Sequence, residues 1–181
     1  MQILIIFTSD LVIYFTARYE VTVELPSASS QSRFVIHDVP INPLASRLWP
    51  ELQPPDFLDT YDAVFTFPHL KTLRNIAERI RGFSSVLLIT LTRNNRLQLS
   101  VETDVVNLVT YFPGVDAQFS DKTEDSDCEI RVNMKRFLQF TMIQPLSSST
   151  VTGKLVNDEQ LCVKVVSNKL TCHFFISAVS L

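Results

Sequence analysis

From Tyr19 to Leu25 the chain alternates strictly, with Tyr19, Val21, Val23 and Leu25 on one side and Glu20, Thr22 and Glu24 on the other. That period of two predicts a strand covered on one face. Arg33–Ile41 reads as a second strand, and Pro40, which cannot donate to a ladder, makes it an edge strand. Ahead of both, residues 1–16 are almost wholly apolar and rich in β-branched and aromatic side chains, which predicts one or two buried strands. A membrane span would need about 20 apolar residues. A signal peptide would need a leading positive charge and a small-residue cleavage site, and Asp10 interrupts the run. Residues 42–60 show no period and hold Pro43, Pro50, Pro54 and Pro55, so they are expected to form a stiff connector.

Beyond the connector the pattern becomes regular. Ala63–Phe67 predicts a strand. Leu70, Leu73, Ile76, Ala77 and Ile80 then recur at helical spacing between Pro68, placed as the first helical residue, and Gly82, placed as the stop. Strands follow at Ser85–Thr92, Arg96–Glu102 and Val105–Phe112, with turns at Asn94-Asn95 and Thr103-Asp104. After an acidic loop at 116–127 the same order returns. Glu129–Val132 is a strand, Asn133 caps a helix over Met134–Ile143, and strands follow at Thr150–Val156, Leu161–Val166 and Leu170–Ser177. The chain therefore carries two copies of a strand–helix–three-strand unit, an α+β pattern, with helices starting at positions 68 and 134.

Composition narrows the classes of function. The chain has 181 residues, 46% hydrophobic and 19% charged, which is the profile of a folded globular protein. Three glycines exclude a Gly-rich phosphate-binding architecture. Three cysteines do not make a disulfide scaffold and point to a reducing compartment. The net charge of −3 gives no overall attraction to nucleic acid.

The charge is unevenly placed, however. Lys71, Arg74, Arg79, Arg81, Lys135 and Arg136 lie on the two helices with one acid, Glu78, leaving ten basic and eighteen acidic residues elsewhere. One basic helix face is ordinarily a solvated surface. Two equivalent basic helices in an acidic chain suggest a positive surface that binds a phosphate backbone by counterion release, without base specificity. No aromatic residue interleaves with these charges on the predicted helix faces, which favours tracking of a duplex over stacking on single strands.

Residues suited to catalysis are scattered. His37 and Asp38 are adjacent in a strand and so face opposite ways. His69 falls at a helix start and His173 inside an apolar strand. Cys128, Cys162 and Cys172 lack zinc-site spacing. Glu124, Asp125 and Asp127 lie in a polar loop and are read as solvated. No Walker, GxGxxG or GxSxG motif is present. The residues thus predict no enzyme, metal or cofactor.

The segments RFVIHDVPI and RLW (33–49), FPHLKTLRNIAERI (67–80), LQLSVETDVV (97–106) and NMKRFLQF (133–140) resemble, in this order, the Hus-type subunits of the nine-one-one checkpoint clamp. These belong to the proliferating-cell-nuclear-antigen superfamily of DNA sliding clamps. The segment PLSSSTVT (145–152) is shared with the replicative clamp, whereas KRFLQF differs from it.

The resemblance implies a DNA-clamp fold. Residues 61–181 would be a complete clamp domain, 42–60 the interdomain connector, and 1–41 the last strands of a preceding, incomplete domain. It also implies a nuclear, non-enzymatic subunit of a heterotrimeric ring acting in DNA damage checkpoint signalling and DNA repair. Its partners would be two related clamp subunits, an ATP-dependent clamp loader, duplex DNA, and repair and checkpoint proteins on the outer face. Lys71, Arg74, Arg79, Arg81, Lys135 and Arg136 would face DNA. Subunit contacts would use edge strands, at Arg33, Phe34, Val35 and Ile36 on one side and Val105, Val106, Leu108, Val109 and Tyr111 on the other. A homotrimeric replicative clamp and a small α+β enzyme or interaction domain with no DNA role are the alternatives.

Overall fold

A computed structural model describes residues 2–7, 13–15, 20–26, 34–40, 47, 61–121, 126–142, 150–166 and 170–180, with side chains described at 40, 47 and through most of the stretch from 61 onward. The chain divides into two compact units, Phe7–Pro55 and Met1–Ile6 with Asp56–Leu181. The smaller unit holds a three-stranded antiparallel sheet in which β2 (Ile13–Phe15) and β4 (Phe34–Pro40) flank β3 (Glu20–Pro26). β4 is an edge strand, as Pro40 requires, and Pro40 stands opposite Glu20. Arg33 and the connector 42–60, Arg47 excepted, lie outside the described residues.

The larger unit contains both repeats. The first runs β5 (Ala63–Thr66), α1 (Leu70–Ile80), β6 (Val86–Thr92), β7 (Arg96–Glu102) and β8 (Asn107–Pro113). The second runs β10 (Cys128–Asn133), α2 (Met134–Thr141), β11 (Thr150–Val156), β12 (Gln160–Val166) and β13 (Leu170–Ser177). A short strand, β9 (Ala117–Phe119), lies in what the sequence presents as an acidic loop; it pairs with β5 and packs Ala117 and Phe119 against the core. At the N-terminus β1 (Gln2–Phe7) lies beside β13, so Met1–Ile6 group with the larger unit.

The repeats do not fold as separate halves. The four-stranded sheet is ordered β10-β6-β7-β8 and the six-stranded sheet β1-β13-β12-β11-β5-β9. Each repeat therefore sends its first strand into the other repeat's sheet. β10 pairs with β6 from Cys128 opposite Leu91 to Asn133 opposite Val86, and β5 pairs with β11 from Ala63 opposite Leu155 to Thr66 opposite Thr152. Consequently each helix crosses from one sheet to the other, and both bury their apolar faces in a single core. Leu70, Leu73, Ala77 and Ile80 enter it from α1, and Met134, Phe137, Leu138 and Phe140 from α2. A chain of rings runs through it: Phe65 to Phe67 at 4.7 Å, Phe67 to Phe140 at 5.4 Å and Phe140 to Phe137 at 5.1 Å.

Asn95, in a predicted turn, and Asp158, in the turn between β11 and β12, have positive φ, 54° and 53°, conformations that short polar side chains tolerate. Some boundaries shift. α1 begins at Leu70 rather than Pro68, because His69 is the N-cap and its Nδ1 accepts a hydrogen bond from Lys71 N–H at 3.2 Å. β8 begins at Asn107 rather than Val105, because Thr103 Oγ1 and the Val106 backbone close a turn ahead of the strand.

Candidate nucleic-acid interface

α1 and α2 pack against each other. Since both bury their apolar faces in one core, their polar faces are turned away from that core together. Lys71, Arg79 and Arg81 on α1 and Lys135 and Arg136 on α2 are exposed, and Arg74 is half-buried. Glu78 is not idle among them. Its Oε1 accepts from Arg74 Nε at 2.8 Å, one turn away, so part of the Arg74 charge is spent within the helix. Arg81 is the C-cap of α1, where a cation also suits the negative end of the helix dipole.

The start of α2 is set by Asn133, whose Oδ1 accepts from Lys135 N–H at 3.0 Å and Arg136 N–H at 3.3 Å. This cap lies against the end of α1: Met134 N–H donates to Ser85 O at 2.8 Å, and Val86 is paired with Asn133. The fold thus brings Arg81 and the Lys135–Arg136 pair to neighbouring helix ends. It also exposes an aromatic ring there. Phe83, two residues beyond Arg81, is 51% exposed; the helix faces themselves carry no exposed aromatic side chain, as expected, since Phe137 and Phe140 are buried. Phe83 escapes helical-wheel reasoning because it lies in the turn after the helix.

The residues expected at a subunit edge divide by face. β8 is the free edge of the four-stranded sheet. Val109 and Tyr111 point outward, Tyr111 55% exposed with the Arg96 guanidinium 6.0 Å from its ring centroid. Leu108 instead turns to the other face of the strand and, partly buried, packs against the core. Val105 and Val106 precede the strand, and Val105 is 91% exposed. Phe34, Val35 and Ile36 lie in edge strand β4; their side chains, like Arg33, are outside the described residues.

The titratable residues do not converge. Cys162 stands opposite Phe175 and Cys172 opposite Val165, so the two thiols project from opposite faces of the sheet. All three cysteines are buried, and burial pushes the Cys162 thiol up to about 11 despite Lys154 and Lys164 nearby. Burial likewise raises Cys172. His173 is held below its ordinary value by burial, then by Lys164 and Lys154. Asp127 is exposed, as its polar loop suggests, and also anchors Arg93: its Oδ1 accepts from Arg93 N–H at 3.0 Å, while Arg93 Nε donates to Ser126 O and its guanidinium sits 4.3 Å from the Phe119 ring centroid. Glu124, Asp125 and His37 side chains are outside the described residues. A groove of about 440 Å³ between the β5–α1 and β8–β9 junctions is lined largely by Phe67, Pro68, Phe112, Pro113 and Val115, with Asp116 at its side. Among the described residues no cluster of three metal-ligating side chains occurs, and no helix is long and apolar enough to cross a membrane.

Two helices laid across a shared core, with sheets formed by exchanged strands, define the DNA-clamp fold. The crystal structure of Proliferating Cellular Nuclear Antigen from Entamoeba histolytica matches it with a TM-score of 0.67 at 12% identity, over 91% of this chain and 61% of that one. The particular branch is given by sequence. A family model described as Hus1-like protein matches residues 16–180, and the chain belongs to that family. It is 29% identical over 167 residues to Checkpoint protein HUS1 of Homo sapiens, covering 88% of this chain and 59% of the relative. It is 26% identical over 145 residues to the Checkpoint protein hus1 homolog of Dictyostelium discoideum, covering 78% and 53%. The chain thus spans between half and three-fifths of the length of these curated relatives.

Proposed function

We propose that this member of the Hus1-like family is a non-enzymatic subunit of a heterotrimeric DNA clamp acting in nuclear DNA damage checkpoint signalling and repair. The reading rests above all on the packing of α1 against α2. Two helices that bury apolar faces in one core offer Lys71, Arg79, Arg81, Lys135 and Arg136 as one cationic surface, with Arg74 in reserve beside Glu78. Such a surface suits the phosphates of a duplex, binds by counterion release, and ignores base sequence. Two related clamp subunits are its partners in this reading, one meeting β8 and the other β4, both edge strands. Pairing would satisfy backbone groups that an open edge leaves to water. An ATP-dependent loader and repair and checkpoint proteins on the outer face complete the proposed set. In this reading residues 61–181 serve as the clamp domain, β2–β4 as strands of the preceding one and 42–60 as the connector, while β1, which the sequence assigns to the preceding domain with the rest of 1–41, instead joins the six-stranded sheet of the larger unit beside β13.

The test is retention on closed circular DNA after co-purification with related subunits, with the mass of the assembly measured first. Reversing Lys71, Arg74 and Arg81 to Glu is expected to abolish retention while leaving the assembly mass unchanged. Retention equal to the parent's would refute the cationic-surface reading. An assembly of identical copies only would favour the replicative type.

A further inference from the structure

We propose that Phe83 stacks on an unpaired base of single-stranded DNA, on a cationic platform formed where α1 ends and α2 begins. The proposal rests on the reading of these helices as the DNA-facing surface and adds a second substrate form to it.

Phe83 stands apart from the other aromatic side chains of this region. Phe137 and Phe140 on α2 are fully buried, whereas half of Phe83 is in water. Its backbone is anchored: the N–H donates to Ile80 O at 3.0 Å, closing a turn on the end of α1. Two residues on, Ser85 O accepts from Met134 N–H, which ties this turn to the N-terminus of α2. Arg79 and Arg81 lie four and two residues before Phe83 in the chain, and the same turn meets α2 at its start, where Lys135 and Arg136 stand. Between Arg79 and Val101, and again between Ile130 and Met142, the sequence contains no acidic residue. The charge thus favours a polyanion over an ordinary protein surface. A flat ring held among cations is the arrangement by which single strands are bound without sequence preference: bases stack on the ring while phosphates meet the cations. In an intact duplex the bases are already stacked on each other, and the ring then has no face to engage.

The test uses the full chain, with anisotropy of a labelled oligo-dT strand and a labelled duplex of the same length. Phe83→Ala is expected to weaken oligo-dT binding about tenfold, with duplex binding unchanged. Phe83→Trp should retain oligo-dT binding and show emission quenched by oligo-dT but not by duplex, measured against the parent chain with its single Trp49. Unchanged oligo-dT affinity in Phe83→Ala, equal loss on both probes, or absence of any oligo-dT binding by the parent overturns the proposal. So does a Phe83→Ala variant that loses a related subunit while keeping both DNA affinities, since the ring would then be a protein contact. Arg81→Glu with Lys135→Glu separates the two readings. If duplex binding survives that pair while Phe83→Ala still weakens oligo-dT, the duplex reading fails and stacking stands. If duplex binding is lost and Phe83→Ala is silent, stacking fails alone.

Discussion

Gly153 lies directly opposite Phe65 in the β11–β5 ladder, and the ring covers the space a side chain would occupy: a Cβ on Gly153 would stand 2.6 Å from Phe65 Cζ and 2.8 Å from Phe67 Cε2. The glycine is kept by proximity, since its backbone has no positive φ. It permits the strand exchanged from the first repeat to press its rings onto the sheet of the second. Gly153→Ala is expected to destabilise the protein by about 1–3 kcal/mol through overpacking, read as a lower urea midpoint. Adding Phe65→Leu should recover part of that loss, and strict additivity of the two changes would show that the ring is not what the methyl group meets.

Asn133, the last residue of β10, is the N-cap of α2 and accepts from two amides of its first turn. Asn133→Ala should cost about 1 kcal/mol, and Asn133→Asp little, since an aspartate caps equally well. Equilibrium unfolding of the three proteins checks this. Equal loss in both variants would mean that the amide group matters for something other than the cap.

The Arg74–Glu78 pair is open to solvent over 42% and 40% of its half-buried and exposed side chains respectively, so its stabilising effect is small. Its effect on DNA should be larger. Glu78→Gln is expected to leave the melting temperature nearly unchanged, raise duplex affinity, and steepen the plot of log K against log salt by up to about one counterion. An unaltered slope would place Arg74 away from the phosphates.

His173 has a pKa lowered from 6.5 by burial, with Lys164 and Lys154 adding to the effect, and its Nδ1 has no hydrogen-bond partner among the described residues. The folded protein therefore resists protonation where the unfolded chain accepts it. The stability associated with this residue is complete above about pH 6.5 and declines as the pH falls through 6.5 toward the lower folded value. Urea midpoints measured above and below that pH should fall less in His173→Gln than in the parent. Parallel profiles would assign the acid sensitivity to other groups.

Much of this molecule was legible in its periodicity. The apolar spacing of Leu70, Leu73, Ala77 and Ile80 locates α1, Asn133 marks the start of α2, and β11 and β13 run over the residues that alternation picks out. These features are local: each depends on how neighbouring residues share a face, a cap or a turn. What lay beyond the sequence depends on partners distant in the chain. Alternation in β5 and β10 cannot reveal that each joins the other repeat's sheet, because the same apolar face would suit either neighbour. β9 was missed because three residues carry too little pattern, and it exists only because β5 offers an edge. Phe83 shows the same division. Its chemistry is written in the chain, but that its turn meets the start of α2 follows from the Ser85–Met134 hydrogen bond, which only tertiary packing makes.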